Sequence, residues 1–280
     1  MPEPLRILSI QSEVVHGHVG NSAARFALQR LGFDVWALPT VLLSNHPGYA
    51  KFKGETTPAA QLRALIAGLA ENGWLASCAG IISGYLGSPD QAAVVAEAVA
   101  QVKNANPGAL YLCDPVFGDD DGAYARPGVA EAMARHLVPL ADIVAPNRFE
   151  LASLTARAVN TPADAVAAAR SLGRTEVLVT SVPFAAEIGT LTVTRSEASA
   201  TVTPKLDGVP HGTGDLISAL YLASRVTGET PSEALEKAAS ATNAIIDASL
   251  GLDELALIAS QALLADPVPI LTARPIATAR

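Results

Sequence analysis

A short glycine motif, His-Gly-Thr-Gly-Asp, occupies residues His211–Asp215 and precedes an apolar run, Leu216–Leu220, that predicts a helix. Two glycines let a backbone turn tightly so that its N–H groups face a ligand, and the start of a helix adds partial positive charge. Such a turn could hold a phosphoryl group while Asp215 takes the proton of an attacking hydroxyl. A glycine turn with an aspartate that caps the helix is the simpler alternative. The motif alone leaves phosphoryl transfer and helix capping open.

Carboxylates also follow a predicted strand in the middle of the chain. Asp114 ends the apolar run Leu110–Cys113, and three consecutive acids, Asp119–Asp121, follow in a loop bounded by glycines. Mg²⁺ takes one or two protein carboxylates and keeps several waters, so Asp114 is a candidate ligand. A solvated acidic turn is the alternative, and it suits the last two acids of the loop better than it suits Asp114.

Two further strand ends carry polar residues. Asn147 and Glu150 follow a short apolar run, and a capping box in which Asn147 begins the next helix would account for Glu150 without any ligand. Ser12 ends the first strand, and the glycine turn Gly17–Asn21 after it lacks both the G-x-G-x-x-G spacing and a Walker A lysine. Ser12 has no G-x-S-x-G elbow, and no histidine pair has helical zinc spacing. Any nucleotide must then bind beside the glycine-aspartate motif.

These residues need a scaffold, and the hydrophobic pattern predicts one. Short apolar runs alternate with helical stretches, which favours an α/β fold whose mostly parallel sheet is covered by helices on both faces. Ligands bind such sheets at the carboxyl ends of the strands, where the polar residues above fall. The predicted parallel strands are Leu5–Ile10, Phe33–Leu38, Cys78–Ser83, Leu110–Cys113, Ile143–Ala145 and Glu176–Thr180. The predicted helices between them are Asn21–Leu31, Pro58–Glu71, Pro89–Lys103, Val129–Val138, Arg148–Leu154 and Ala163–Leu172.

The last third of the chain has a different pattern. Two runs rich in threonine and valine predict a small antiparallel pair, Thr190–Thr194 and Ala198–Thr203. Three helices are predicted to follow, over Asp215–Thr227, Ser232–Leu250 and Glu254–Ala265. We predict a single domain over residues 1–280, with a partly mobile tail over 267–280 because prolines are scattered there.

Composition excludes several classes of protein. The 280 residues are 50% hydrophobic and 16% charged, which permits a large core and excludes a disordered chain. No apolar run reaches the ~18 residues of a membrane span. Nineteen basic residues against 27 acidic ones give a net charge of −8, which argues against a nucleic-acid partner. Two cysteines and an N-terminus unlike a secretory signal favour the cytoplasm.

Taken together, these segments resemble the ribokinase-like kinases and, among them, the pyridoxal kinase family. Most ribokinase-like enzymes share a form of Ala145–Asn147 and of the glycine-aspartate motif. The pyridoxal kinases in particular are indicated by the Gln11-Ser12 strand end, the Ser44–His46 loop and the turn Ser83–Gly87. The resemblance runs from about residue 7 to the helix after Asp215.

The resemblance implies a three-layer α/β/α sandwich that transfers a phosphoryl group from MgATP to the 5′-hydroxymethyl group of pyridoxal, pyridoxine or pyridoxamine, usually as a homodimer. By that match Asp215 is the base, and the transferred group is stabilised by the amides of Gly212, Thr213 and Gly214. The vitamer would be bound by Ser12, Val19, Pro47, Tyr85 and Asp215. The nucleotide would be bound by Asp114, Ala145, Glu150, Thr180, Ser181, Thr203, Pro204, Lys205, Leu206, Gly212, Thr213 and Gly214. Mg²⁺, with a monovalent cation such as K⁺, would lie among Asp114, Asp119 and Glu150.

The sequence departs from that family pattern at a few positions. Pro47 stands where many members have a substrate-binding threonine, Glu13 where a histidine is usual, and Ala145 where some members have a threonine. The loop Gly118–Tyr124 is shorter than in the animal enzymes. A kinase of hydroxymethylpyrimidine, which would use the same base, is an alternative, and so is a non-catalytic protein that holds pyridoxal. At the residue level, Tyr85 could be a packing residue and Ser12 a turn former.

Overall fold

The structure, a computed structural model, describes residues 3–276. Its strands are β1 (Arg6–Val14), β2 (Asp34–Leu43), β3 (Gly54–Thr56), β4 (Cys78–Ser83), β5 (Leu110–Cys113), β6 (Gly118–Asp119), β7 (Gly122–Ala123), β8 (Ile143–Val144), β9 (Glu176–Phe184), β10 (Glu187–Thr194), β11 (Ala198–Pro204) and β12 (Arg274–Pro275). Its α-helices are α1 (Asn21–Arg30), α2 (Ala59–Glu71), α3 (Asp90–Ala105), α4 (Val129–His136), α5 (Arg148–Thr155), α6 (Pro162–Ser171), α7 (Thr213–Val226), α8 (Pro231–Ser249) and α9 (Ala262–Ala265).

Ten of the strands form one sheet whose centre is parallel. The parallel strands lie in the order β2-β1-β4-β5-β8-β9. β3 pairs antiparallel with β2 at one edge, and β10, β11 and β12 continue antiparallel beyond β9 at the other. β6 and β7 form a separate two-stranded hairpin. The predicted α/β class, with a mostly parallel sheet and an antiparallel edge, is confirmed.

Alternate residues of the central strands face two layers of helices. On β1, Ile7 packs in a core cluster with α1, α7 and α8, whereas its neighbour Leu8 packs in a second cluster with α2, α3 and α4. On β9, Leu178 belongs to the first cluster, while Val177 and Val179 pack with α5 and α6 in a third. Because successive strand side chains point to opposite faces, both faces of the sheet are covered and the molecule has three layers.

Most predicted elements are confirmed to within a few residues, but one helix is wrong. The prediction of a helix over Glu254–Ala265 fails, because only α9 at the end of that range is helical. Leu255 and Leu257 are both buried in the first core cluster. Residues two apart lie on different sides of a helix, so a chain of turns is needed to bury both. That segment of turns packs against the glycine motif, since Leu255 Cδ1 lies 3.3 Å from where a Cβ on Gly212 would lie.

The described part of the C-terminal tail contacts the domain. The Leu271 N–H donates to Ser240 Oγ at 2.7 Å, the Ala273 N–H donates to Glu236 Oε1 at 2.8 Å, and β12 pairs with β11. The predicted mobility of 267–280 falls partly on residues 277–280, which lie outside the described residues, and like the single domain it stays a prediction. Among the described helices, none is long and apolar enough to cross a membrane.

Candidate active site

A cavity of about 430 Å³ opens at the carboxyl ends of the parallel strands, and we call it the ring cavity. Four strands bring residues to it near their carboxyl ends. Ser12 lies two residues before the end of β1, and Tyr85, Asp114 and Ala145 follow β4, β5 and β8. The first turn of α7 closes the opposite side with Gly212, Gly214 and Asp215. The full lining is Ser12, Val14, Val19, Val41, Leu43, His46, Pro47, Gly48, Tyr85, Asp114, Val116, Asp119, Tyr124, Ala145, Asn147, Glu150, Thr180, His211, Gly212, Gly214, Asp215 and Ser218.

A second cavity, of about 410 Å³, adjoins the first, and we call it the edge cavity because antiparallel strands β10 and β11 form one wall. The two cavities share Asp119, Tyr124, Asn147, Thr180 and Gly214 in their linings. The remaining predicted nucleotide residues line the edge cavity: Ser181, Thr203, Pro204, Lys205, Leu206 and Thr213. Every residue of the predicted site therefore lines one cavity or the other, and the start of α7 lies where they meet.

Gly212 has a backbone conformation that only glycine adopts readily here. Its φ is +98°, and an added Cβ would lie 1.9 Å from the backbone oxygen of His18. α7 begins at the next residue, and the Leu216 N–H is the one that donates back to Gly212 O, at 2.9 Å. The preceding N–H groups have no intrahelical acceptor, which is general for the first turn of a helix. They supply the donors that an anion at this end of the ring cavity requires.

Asp215 lies in the first turn of α7 and does not cap it. The N-cap position is Gly212, and no side chain caps this helix. Burial raises the pKa of the Asp215 carboxyl to about 6, and a hydrogen bond from the Gly20 backbone partly opposes that rise. At neutral pH the carboxylate is therefore mostly ionised and is a stronger base than an exposed aspartate. This geometry disfavours the capping alternative for the motif.

Asp114 and Glu150 lie deep in the same cavity, with 5% and 2% of their surfaces exposed. Burial, followed by the negative charges of Glu150 and Asp215, holds the pKa of Asp114 well above its usual range. The Ser218 hydroxyl donates to Asp114 Oδ2 at 2.8 Å and partly offsets that effect. Burial also raises the pKa of Glu150 to about 8. Like charges this close disfavour ionisation of each other, so a cation between them would relieve the repulsion.

Glu150 also forms the capping box that the sequence offered as an alternative role. Its side chain accepts the Asn147 N–H at 2.9 Å while the Asn147 side chain accepts the Glu150 N–H at 2.9 Å, which completes a capping box on α5. The other carboxylate oxygen accepts the Phe117 N–H at 3.0 Å. Capping and a place in the cavity are therefore compatible, since one carboxylate does both.

The acidic residues fit a cation that is bound largely through water. Within residues 3–276, no group of three or more His, Cys, Asp or Glu side chains is gathered closely enough to ligate a metal directly. Asp119 is exposed, and its Oδ1 accepts the Asp121 N–H at 2.9 Å. Its charge still contributes to the raised pKa of Glu150. A hard, hydrated ion such as Mg²⁺ suits carboxylates that share a cavity without converging on one point.

The turn that carries Tyr85 is fixed by polar contacts around its backbone. The Thr40 hydroxyl donates to the Tyr85 carbonyl at 2.7 Å, and the Gly87 N–H donates to Gln91 Oε1 at 2.8 Å. Gly87 packs so closely that an added Cβ would lie 2.4 Å from Val41 Cγ1. The Tyr85 side chain is half-buried and lines the ring cavity, as does the buried Ser12. A flat aromatic wall with a hydroxyl beside it can bind a planar heterocycle.

Comparison with known proteins identifies the family. Pyridoxal kinase PdxY of Rubrobacter xylanophilus is 44% identical over 276 residues, which cover 94% of this chain and 95% of that protein. Pyridoxal kinase PdxY of Deinococcus radiodurans is 43% identical over 274 residues, which cover 92% of each. This chain belongs to the pyridoxal kinase family.

Solved pyridoxal kinases share the fold over almost the whole chain. Pyridoxal kinase from Leishmania donovani in complex with ADP has a TM-score of 0.92 and 32% identity, covering 97% of this chain and 99% of that one. The same enzyme in complex with ADP and pyridoxine has a TM-score of 0.91 and 32% identity at the same coverage. A family model described as phosphomethylpyrimidine kinase matches residues 59–258. The chain is therefore a kinase of the ribokinase-like fold.

Several residues that line the two cavities were missed in the sequence. Ser218 could have been found, because it lies three residues after Asp215 on the same face of α7. The stacking of His46 on His211, with ring centroids 4.1 Å apart, joins two distant loops and leaves no local signal. Other missed lining residues lie on β2, β10, β11 and α8: Val41, Leu43, Ile188, Gly189, Thr190, Thr201, Ala239, Thr242, Asn243 and Ile246. The rest are Val14, Gly48, Val116, Tyr124, Val209, Ile217 and Leu271.

Proposed function

We propose that this chain transfers the γ-phosphoryl group of ATP to the 5′-hydroxymethyl group of pyridoxal, and also of pyridoxine and pyridoxamine, in salvage of vitamin B6. One observation carries the proposal: the ring cavity and the edge cavity meet at the first turn of α7, beside the half-buried Asp215. The ring cavity suits the planar vitamer, and the edge cavity suits the nucleotide. The hydroxyl and the γ-phosphoryl group then meet at that helix start.

Each residue of the site has its own role in the proposed reaction. Asp215 accepts the proton of the 5′-hydroxyl group as its oxygen forms a bond to the γ-phosphorus, and the bond from phosphorus to the ADP oxygen breaks. The N–H groups of Gly212, Thr213 and Gly214 stabilise the negative charge of the transferred group. Ser12 hydrogen-bonds the polar edge of the pyridine ring while Tyr85 and Val19 pack on its faces, with Pro47 at the rim.

Mg²⁺ and a monovalent cation such as K⁺ complete the proposal. Asp114, Asp119 and Glu150 would hold them, chiefly through water, beside the nucleotide. When bound, Mg²⁺ neutralises charge on the phosphate oxygens and on the group being transferred. On the nucleotide side, Thr180, Ser181 and the segment Thr203–Leu206 line the edge cavity, and Lys205 contributes its cationic ammonium group. Ala145 contributes only backbone and a methyl group near the cation.

We also propose a cytoplasmic homodimer. Large apolar side chains are exposed at the ends of β1 and β2 and just before β3: Val15 by 81%, Leu42 by 51% and Phe52 by 49%. A second copy of this chain would cover them. Sedimentation at a mass of twice the 28.7 kDa chain supports the dimer, whereas a monomer mass rejects it.

The proposed location in the cytoplasm rests on the cysteines. Cys78 and Cys113 are both buried and free, as in a reducing compartment.

A turnover assay with two acceptors tests the function. ADP release from MgATP is measured with pyridoxal, with hydroxymethylpyrimidine and without acceptor, and each product is identified by mass. We expect pyridoxal to give the larger kcat/KM. Preference for hydroxymethylpyrimidine would assign that reaction instead. Pyridoxal binding without any ADP release would indicate a non-catalytic binding protein.

A further inference from the structure

The carboxylate of Glu254 lies outside the lining of the ring cavity and contacts two segments that contribute residues to that lining. Glu254 Oε2 accepts the backbone N–H of His18 at 3.1 Å. Glu254 Oε1 accepts the hydroxyl of Tyr49 at 2.7 Å. One side chain therefore joins the turn after β1 to the loop after β2, which are otherwise far apart in sequence.

Both joined segments supply the lining of the ring cavity. The turn carries Val19, which lines the cavity, and Gly20, whose backbone hydrogen-bonds Asp215. The loop carries His46, Pro47 and Gly48, all of which line the cavity. Movement of either segment would change the shape of the space in which the vitamer binds.

The sequence around Glu254 is built for this contact. At Gly17, φ is +98° and an added Cβ would lie 2.5 Å from both Glu254 carboxylate oxygens, so any larger residue would push the carboxylate away. The next residue, Leu255, is buried in the core, and its Cδ1 approaches within 3.3 Å of where a Cβ on Gly212 would lie. The Ala256 N–H donates to Ser249 Oγ at 2.9 Å, which ties the segment to the end of α8. Glu254 is thus held on a fixed support.

We propose that Glu254 is a positioning residue that holds the turn Gly17–Gly20 and the loop Ser44–Ala50 in the arrangement that binds the vitamer. This inference rests on the proposed function, because it assigns the residue to the same ring cavity. The edge cavity has no wall from either segment, so we expect the contact to affect binding of the vitamer more than binding of the nucleotide.

Kinetics of three variants test the proposal. In Glu254→Ala both contacts are lost, and we expect the KM for pyridoxal to rise about tenfold while the KM for ATP stays within about twofold. In Tyr49→Phe one contact is lost, so the KM for pyridoxal should rise by a smaller factor. In Glu254→Gln the amide oxygen can accept the His18 N–H while the amide NH2 donates to the Tyr49 hydroxyl oxygen, so the KM should return close to that of the unmodified protein.

Hydrogen exchange without substrate keeps this test separate from the proposed function. We expect backbone amides of 15–20 and 44–50 to exchange faster in Glu254→Ala, and those of 44–50 in Tyr49→Phe, with the β6–β7 hairpin unchanged. Equal rises in KM for both substrates, or unchanged exchange in these two segments, would overturn the proposal. If the unmodified protein fails to phosphorylate pyridoxal, the proposed function fails, and exchange together with pyridoxal affinity by calorimetry still decides the role of Glu254.

Discussion

The chemistry of single residues depends on how deeply each carboxyl group is buried. Asp215, Glu150 and Asp114 share one cavity, and burial is the largest cause of the raised pKa of each. The pKa of Asp215 is raised least, because this residue is only half-buried and a hydrogen bond from the Gly20 backbone opposes the effect of burial. This difference leaves Asp215 as the group that is ionised at neutral pH without a metal and can accept a proton.

The pH dependence of turnover follows from the pKa of Asp215. A base with a pKa of about 6 is active above that pH and is lost as the pH falls through it. We expect kcat at saturating MgATP and pyridoxal to be level near neutral pH and to fall about tenfold per unit well below pH 6. A profile that stays level down to pH 4.5 would contradict the role of Asp215 as the base.

The ring of Tyr85 provides the next test at this scale. Stacking of an aromatic face on a flat pyridine is worth roughly 0.5–1.5 kcal/mol beyond area burial. Tyr85→Ala should therefore raise the KM for pyridoxal about tenfold, since ~1.4 kcal/mol corresponds to that factor. The KM for ATP should barely change. Equal losses for both substrates, or a loss of thermal stability alone, would return Tyr85 to the packing residues.

Helices and strands determine where these groups meet, and the local signals for them differ in strength. The glycine-aspartate motif before α7 could be predicted because its backbone turn and its helix start are both written in consecutive residues. The hairpin of β6 and β7 could not, because two residues per strand give no periodicity. The predicted helix over Glu254–Ala265 was wrong because Leu255 and Leu257 are buried in a segment of turns and not on one face of a helix.

The glycine turn before α7 gives a prediction with a matched control. Gly212→Ala places a methyl group 1.9 Å from His18 O and forces alanine into a left-handed backbone, which costs at least ~1–2 kcal/mol. At Gly214, two residues on, an added Cβ meets nothing within 4 Å. We expect a lower Tm for Gly212→Ala and an unchanged Tm for Gly214→Ala in thermal unfolding. Equal Tm values for the two variants would show that the turn is not strained at Gly212.

At the scale of the whole molecule, the net negative charge opposes the binding of an anionic nucleotide. A net charge of −8 repels a nucleotide triphosphate at long range, so binding depends on local donors and cations. The strand ends that gather these groups could be predicted from the alternating pattern, since parallel strands bring their carboxyl ends to one edge. The hydrogen bonds that hold Asp114 and Glu150 in the cavity could not, because they come from residues distant in sequence such as Ser218 for Asp114 and Phe117 for Glu150.

Mg²⁺ binding should become tighter as the pH rises, because of the raised pKa of Glu150. Glu150 has a pKa of about 8 without a cation, so it is mostly protonated at pH 6.5 and mostly ionised at pH 9. Mg²⁺ competes with that proton, and it should raise the Tm of the nucleotide-free protein more at pH 9 than at pH 6.5. NaCl at equal ionic strength is the control for screening. A stabilisation that is the same at both pH values would argue against Glu150 as part of the cation site.

The most direct test of phosphoryl transfer at the start of α7 is the turnover of Asp215→Asn. The substitution keeps the shape of the side chain and removes the base, whereas the N–H groups of the helix remain. With MgATP and pyridoxal both saturating, we expect kcat to fall at least ~10²-fold while the Tm and the affinity for ATP stay nearly unchanged. Turnover equal to that of the unmodified protein would contradict the account and leave Asp215 with a structural role only.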